Sequence, residues 1–84
     1  MPALAPVAPE TLKRILELKG YRVVSEDDLN WALARDLKGE PVIIPKAGEL
    51  VALDVMSAAL DTAQMSNSEY FRFRTQALGL PPIN

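Results

Sequence analysis

The stretch 40–63, EPVIIPKAGELVALDVMSAALDTA, contains a strand, a turn and a helix around which the rest of the chain must fold. Residues 42–44 are a β-branched run closed by Pro45, which predicts a short buried strand with an abrupt end. After a polar, Gly-containing turn, Asp54 favours the first turn of a helix. The apolar residues that recur at helical spacing and predict one buried stripe are Leu53, Met56, Leu60 and Ala63.

Length and composition predict one small domain with restricted chemistry. The chain has 84 residues, 49% of them apolar, and a net charge of −2, which gives no general attraction to nucleic acid or to anionic membranes. It contains neither Cys nor His. A disulfide framework, a thiolate nucleophile, a Cys-based zinc site and a His general base are therefore excluded. Only carboxylates, Lys or Tyr remain to move protons, and we expect no cofactor and no metal site.

The N-terminal residues 1–8, MPALAPVA, are rich in Pro and Ala and predict a disordered tail. The segment is apolar, but it is short and has no basic residues before it, which is not the pattern of a secretory signal. No apolar run of the chain approaches the length of a membrane span. We therefore expect a cytoplasmic protein that makes no membrane contact.

Two further elements are predicted before the central stretch. Pro9 suits the first turn of a helix, and Gly20 can adopt the left-handed conformation that ends one, which predicts a helix over 9–19. Its apolar stripe consists of Leu12, Ile15 and Leu16. Residues 21–24, an aromatic residue and an Arg followed by two valines, predict a strand.

Residues 25–39 fit two different structures. Ser25 with Asp28 three residues later is typical of a helix start, and leucines follow at roughly helical spacing up to a Gly39 stop. Apolar and polar or small residues also alternate over 29–34, which predicts a strand followed by a hairpin loop over 36–39. Three adjacent acidic residues in this segment could bind a metal ion, although a solvated turn is the preferred interpretation. Pattern alone leaves helix and strand open.

The C-terminal segment 66–84 predicts a helix and a short tail. Ser66 and Glu69 form a capping-box pattern, and Gly79 with the two prolines after it ends the helix. Aromatic and basic side chains interleave along this helix at Tyr70, Phe71, Arg72, Phe73 and Arg74. Packing on the core or on a second subunit is favoured over contact with a protein partner, and that in turn over RNA binding.

The order of these features resembles the HicA family of bacterial toxin–antitoxin toxins, also called YcfA-like proteins. In that family a helix ends in Gly followed by an aromatic residue, as Gly20-Tyr21 does here. The last strand of the family ends in Pro, and a loop then leads into a helix with Ile or Leu at the spacing found in residues 43–60. The resemblance covers about residues 11–65, and its motifs are short and apolar.

The resemblance implies an α+β fold of order α-β-β-β-α over residues 9–65, like that of a double-stranded-RNA-binding domain. A three-stranded antiparallel sheet would carry the helices on one face, and the C-terminal helix would follow as an addition. The family order thereby favours a strand over 29–35. We expect the residues of that strand that face the two main helices to be Leu29, Trp31 and Leu33.

The family also implies messenger-RNA cleavage by a His in a Gly-rich segment at the start of the second strand, and neutralisation by a HicB-like antitoxin. The matching position here is Asn30, and the glycines before it are replaced by Asp28 and Leu29. An amide can only donate and accept hydrogen bonds, and neighbouring carboxylates repel a phosphate backbone. We therefore do not carry the ribonuclease activity over to this chain, and we assign no catalytic residue.

Three functions remain as hypotheses. The first, which we adopt, is a non-catalytic interaction module that binds a HicB-like antitoxin, another protein or a second copy of itself. The second is an RNA-binding or RNA-cleaving toxin, for which the candidate groups are Lys46, Tyr21, Asn30 and Arg35. The third is the regulatory half of some pair, suggested by the acidic balance alone.

Particular residues discriminate between these hypotheses. The candidates for contact with RNA or a partner are Arg22, Asn30, Arg35, Lys46, Arg72 and Arg74. The candidates for a protein interface are Tyr70, Phe71 and Phe73. A basic patch that joins Arg22, Arg35 and Lys46 would favour the toxin, whereas an exposed aromatic face on the C-terminal helix would favour the interaction module.

Overall fold

The computed structural model describes residues 6–35 and 39–79, which form three helices and three strands. In chain order these are α1 (Pro9–Leu18), β1 (Arg22–Glu26), β2 (Asn30–Ala34), β3 (Val42–Pro45), α2 (Leu53–Thr62) and α3 (Asn67–Ala77). The predicted α+β class and the α-β-β-β-α order with an added C-terminal helix are confirmed. Residues 1–5 of the predicted tail, 36–38 of the predicted hairpin loop, and 80–84 lie outside the described residues. Within the described residues, no helix has both the length and the apolar character needed to cross a bilayer.

The ambiguous segment after β1 is a strand, and the turn before it explains why. The Asp27 carboxylate accepts hydrogen bonds from the backbone N–H groups of Leu29 and Asn30, at 2.8 and 2.7 Å. Asp27 N–H in turn donates to the carbonyl of Asn30 at 3.0 Å, which closes the connection between β1 and β2. Such side-chain bonds to the backbone compete with helix formation and favour tight turns. Tertiary pairing of β2 with both neighbours then outweighs the local helix propensity.

The sheet is antiparallel with the order β1-β2-β3, and its two faces differ in burial. The register places Trp31 opposite Ile44 and Leu33 opposite Val42. Leu33, Val42 and Ile44 are buried, whereas Ile43 is 50% exposed. Because side chains alternate along a strand, one face packs against the helices and the second face carries no helix among the described residues. The residues of β2 and β3 on this open face are Asn30, Ala32, Ala34, Ile43 and Pro45.

Two predictions about buried residues were wrong. Leu29 is 69% exposed rather than facing the helices, because it lies in the Asp27 turn and precedes the first residue of β2. Leu53 is 52% exposed, because it is the first residue of α2 and the buried side of that helix begins one turn later. Of the predicted α2 stripe, the residues that are buried are Met56, Leu60 and Ala63, and Ala59 joins them.

Helices α1 and α2 end in the same hydrogen-bonded motif. At the end of α1, Tyr21 N–H donates to the Leu16 carbonyl at 2.9 Å and Gly20 N–H to the Glu17 carbonyl at 3.0 Å. Gly20 has φ +105°, as the sequence predicted for the residue that ends this helix. At the end of α2 the corresponding left-handed residue is Gln64, with φ 54°. The fold therefore places a residue with a side chain where glycine is usual.

The C-terminal helix packs on the first helix of its own chain. The predicted capping box is present: Glu69 N–H donates to the Ser66 hydroxyl at 3.2 Å, and Ser66 N–H donates to the Glu69 carboxylate at 3.4 Å. The Lys19 ammonium donates to the same carboxylate at 2.6 Å and thereby joins the end of α1 to the start of α3. Tyr70, next in the helix, is fully buried in the core.

The segment before α1 also contacts the core. Val7 is buried, and its carbonyl accepts a hydrogen bond from Val51 N–H at 2.8 Å. This bond joins the chain just before α1 to the chain just before α2. The end of the stretch predicted as a tail, from Val7 to the start of α1, thus packs on the domain.

Candidate functional site

Asn30, the position that the family resemblance points to, is the first residue of β2. It lies opposite Pro45 of β3, and strand alternation places its side chain on the open face of the sheet. The nearest acidic side chain of the β1–β2 turn, Asp27, is fully engaged in that turn. The N–H groups of Leu29 and, second, of Asn30 lower the pKa of the Asp27 carboxyl by bonding its charged form. Asp27 therefore serves the turn and is not a poised base for Asn30.

A compact charged cluster lies on the other face of the same end of the sheet. We name Lys13, Glu26, Trp31 and Lys46 the Trp31 cluster. The ammonium groups of Lys13 and Lys46 lie 5.5 and 5.4 Å from the centre of the Trp31 ring. Lys46 also donates to the Glu26 carboxylate at 2.6 Å. These are cation–π and ion-pair contacts that hold the half-buried indole in place.

The charge of Lys46 is matched within this cluster. The hydrogen bond from Lys46 and its positive charge lower the pKa of the Glu26 carboxyl. Beside the cluster lies an open cavity of about 410 Å³ between the start of α1, Trp31 and the loop after β3. The charged residues that line this cavity are Glu10, Lys46 and Glu49. Its surface is therefore not a basic patch.

Tyr21 and Arg35 meet at the opposite end of the sheet. They line a second open cavity, of about 320 Å³, together with Gly39, Glu40, Thr62, Ala63 and Gln64. Tyr21 is buried except for a small fraction of its surface, while Arg35 is exposed and its aliphatic stem passes Gly20. Arg22 is exposed too, and its register partner in β2 is Ala34, the residue before Arg35. Arg22 and Arg35 thus share one end of the sheet, and Lys46 lies at the other.

The aromatic candidates of α3 belong mainly to the core. Tyr70 is fully buried, and burial raises the pKa of its hydroxyl. Phe71 packs edge-on against Tyr70 with 5.4 Å between ring centres, and Phe73 lies partly buried under the Arg72 guanidinium at 5.2 Å. Arg74 is half-buried, and its Nε has no hydrogen-bond partner among the described residues. The preferred interpretation of the sequence is packing on the core or on a second subunit, and packing on the core accounts for Tyr70 and for one side of both phenylalanines.

One feature of the surface was missed by the sequence interpretation. A groove of about 390 Å³ runs between β3 and α2, and we name it the β3–α2 groove. It is lined by Pro41, Val42, Ile43, Asp54, Val55, Ala58, Ala59 and Thr62. The run 42–44 did contain a sign of this groove. If the strand buries residues 42 and 44 on one face, alternation must expose the apolar side chain of Ile43 on the other.

No metal site accompanies these features. Within residues 6–35 and 39–79, no group of three or more acidic side chains is arranged to hold a metal ion. The acidic run after β1 is divided between the Glu26–Lys46 ion pair and the Asp27 turn. The described structure therefore uses these carboxylates as internal hydrogen-bond acceptors.

Comparison with known proteins adds no relative from which a function could be inferred. No family model, no curated protein and no solved structure matches this chain. The resemblance to the HicA family, and the position that it suggests for Asn30, stay predictions from the sequence.

Proposed function

We propose that this chain is a non-catalytic protein-interaction module with a HicA-like fold. One observation carries the proposal: the four groups that could perform RNA chemistry do not converge. Asn30 and Lys46 lie at one end of the sheet, on opposite faces, while Tyr21 and Arg35 line a cavity at the other end. Residues advance about 3.3 Å each along a strand, so the four steps from the first to the last residue of β2 separate its ends by about 13 Å. Acid–base catalysis needs its groups within hydrogen-bond reach of one reacting centre.

The state of Lys46 supports the same conclusion. A phosphate bound at its ammonium group would lie beside the Glu26 carboxylate and be repelled by it, and a proton-transfer role would require the 2.6 Å ion pair with Glu26 to break. Asn30 offers no group that titrates near neutral pH. The partner that this proposal implies is a protein, either a HicB-like antitoxin or another copy of the chain.

The alternative is an RNA-binding or RNA-cleaving toxin of a HicA–HicB-type pair, and one observation favours it. Lys13 and Lys46 lie over a half-buried Trp31, a combination of cations and an aromatic ring that can bind nucleic acid. Against it stand the carboxylates of Glu26, Glu10 and Glu49 around the same ring and cavity, which repel phosphates.

Expression in a bacterial host tests the proposal directly. The wild type, Asn30→His and Lys46→Ala are produced to equal levels while growth and messenger-RNA integrity are followed. We expect growth and intact RNA in all cases, since general acid–base assistance is worth about 10²–10⁴-fold in rate. The wild type and Lys46→Ala contain no imidazole, and the imidazole of Asn30→His would have none of the other candidate groups within reach. Growth arrest with RNA decay in the wild type, lost in Lys46→Ala, would refute the proposal and select the toxin. Sedimentation of the purified chain then measures whether copies associate.

A further inference from the structure

The β3–α2 groove has one wall from a strand edge and one wall from a helix. β3 is an edge strand of the described sheet, because β2 pairs with one side of it and no described strand pairs with the other. The outer wall consists of Pro41, Val42 and Ile43, and the helical wall of Asp54, Val55, Ala58, Ala59 and Thr62. Ile43 is 50% exposed, and Ala58 is exposed as well. An apolar surface of this kind is typical of a binding site for a protein segment.

The edge of β3 is unsuited to the addition of another strand. Lys46 N–H donates across to the Leu29 carbonyl at 2.8 Å, so the backbone groups of every second residue, 42, 44 and 46, point toward β2. Those of Pro41, Ile43 and Pro45 point outward. Proline has no N–H, so along this edge Ile43 supplies the single donor. A partner strand would leave its own carbonyls without donors, which is the arrangement by which natural sheets block edge pairing.

A helix meets no such obstacle, because its backbone hydrogen bonds are satisfied internally. The α2 wall presents Val55, Ala58, Ala59 and Thr62, which are spaced as i, i+3, i+4 and i+7 and share one side of that helix. Ala59 is buried beneath the groove, and the exposed Ala58 is small, which allows a second helix to approach α2 at the about 8–10 Å that helix pairs prefer. The groove therefore fits a helix lying along α2 and over the edge of β3, where Ile43 borders the groove.

The charge of the groove specifies the occupant further. Asp54 is the one charged residue among those that line it, and it is exposed in the first turn of α2. We propose that the β3–α2 groove binds an amphipathic helix of a partner protein, with an apolar face on Ile43 and Ala58 and a Lys or Arg beside Asp54. This inference rests on the proposed interaction function and names the surface that performs it.

The experiment uses helical peptides as defined probes. A displayed library of random-sequence peptides, each about as long as five helical turns, is selected on the full chain, and enriched peptides are synthesised with a fluorophore. Their affinities are measured by anisotropy for the wild type and two groove variants, Ala58→Arg and Asp54→Asn. The matched controls are Ser57→Arg and Asp61→Asn, which alter exposed α2 residues outside the groove.

We expect enriched peptides with a helical apolar stripe and at least one basic residue. Ala58→Arg should weaken binding by more than about tenfold, as blocking a central contact does. Asp54→Asn should weaken it by about 2- to 5-fold, with loss of the salt dependence, which is the range of an exposed ion pair. Both controls should bind within about twofold of the wild type, since exposed substitutions away from the contact have small effects.

Several results would overturn the inference. They are an absence of enriched peptides, enriched peptides without helical periodicity, and equal loss in groove and control variants. Peptides that bind but ignore Ala58→Arg would remove the groove while leaving the interaction function intact. RNA decay in the expression assay would remove the proposed function whatever the peptides do, so the two failures are distinguishable.

Discussion

Gln64 occupies the left-handed position that ends α2, and its backbone conformation costs free energy. Its N–H donates to the Asp61 carbonyl at 3.1 Å, and the next residue, Met65, donates to the Leu60 carbonyl at 2.9 Å, so the turn is fully bonded. Residues with a Cβ disfavour this region by about 1–2 kcal/mol, while glycine loses about 0.5–1 kcal/mol more entropy on folding. The backbone strain of Gln64 therefore exceeds the extra entropy that a glycine would lose at this position.

We therefore expect Gln64→Gly to stabilise the domain by up to about 1 kcal/mol, measured by urea denaturation. The reciprocal change at the end of α1, Gly20→Ala, should destabilise it by about 1–2 kcal/mol. A Cβ at Gly20 would meet the Arg35 stem at an ordinary 3.7 Å, so backbone strain alone causes the loss. The explanation requires the two substitutions to change the free energy of unfolding in opposite directions. A destabilising Gln64→Gly would contradict it.

The Glu69 carboxylate has two roles, as part of the capping box and as the partner of Lys19. The hydrogen bond from Lys19 lowers the pKa of this carboxyl most, and the Ser66 N–H lowers it further. A depressed folded-state pKa contributes stability that is present above the unfolded value, near 4.3 as a rough reference, and is lost as the pH falls through the folded value.

Glu69→Gln should therefore lower the melting temperature at pH 7 and have progressively less effect toward pH 3. Gln still fills the capping-box position, so the change isolates the contact with Lys19. Melting curves of both proteins between pH 7 and pH 3 measure the convergence. Glu49→Gln, an exposed carboxylate in the loop before α2, is the matched control and should leave the curve unchanged. Parallel curves for wild type and Glu69→Gln would contradict this assignment.

At the scale of elements, α3 is a structural part of the domain rather than an appendage. Its buried side is dominated by Tyr70, and Phe71 and Phe73 pack partly against the core around it. The helix itself has good caps but a largely polar sequence, so its stability must come from packing on α1.

Tyr70→Ala should accordingly cost about 3–5 kcal/mol, the range for removing a buried aromatic ring. An exposed residue further along the helix, Gln76, provides the control, and Gln76→Ala should change stability by about 0.5 kcal/mol or less. Chemical denaturation of the three proteins gives both values. Equal, small losses would mean that α3 undocks readily and that its aromatic side is available to a partner.

At the scale of the whole molecule, the sequence predicted those helices and strands whose ends are marked by nearby residues. Pro9 and Gly20 bound α1, Pro45 closes β3, and Ser66 with Glu69 starts α3. β2 could not be identified from pattern alone, because its residues favour a helix and only pairing with two other strands makes it a strand. The family resemblance favoured a strand for this segment, and the segment is a strand.

Local sequence patterns could not predict sites that are built from residues far apart in the chain. The Trp31 cluster joins side chains from α1, β1, β2 and the loop after β3. Its ion pair joins Glu26 to Lys46, which are 20 positions apart in the sequence. The β3–α2 groove likewise joins residues 41–43 to a helix that begins ten positions later. The exclusion of imidazole chemistry, by contrast, follows from composition alone, because the chain contains no His.

The contact between the first and last helices has a consequence for how the protein is made. Lys19 and Glu69 are separated by 50 residues, and everything between them must leave the ribosome before they can meet. Translation proceeds at about 5–20 residues per second, so α1 waits for seconds with its apolar side uncovered while the local hairpins of the sheet can already form. The domain can therefore be completed only after α3 has left the ribosome, and the packing of α3 then completes the burial of α1.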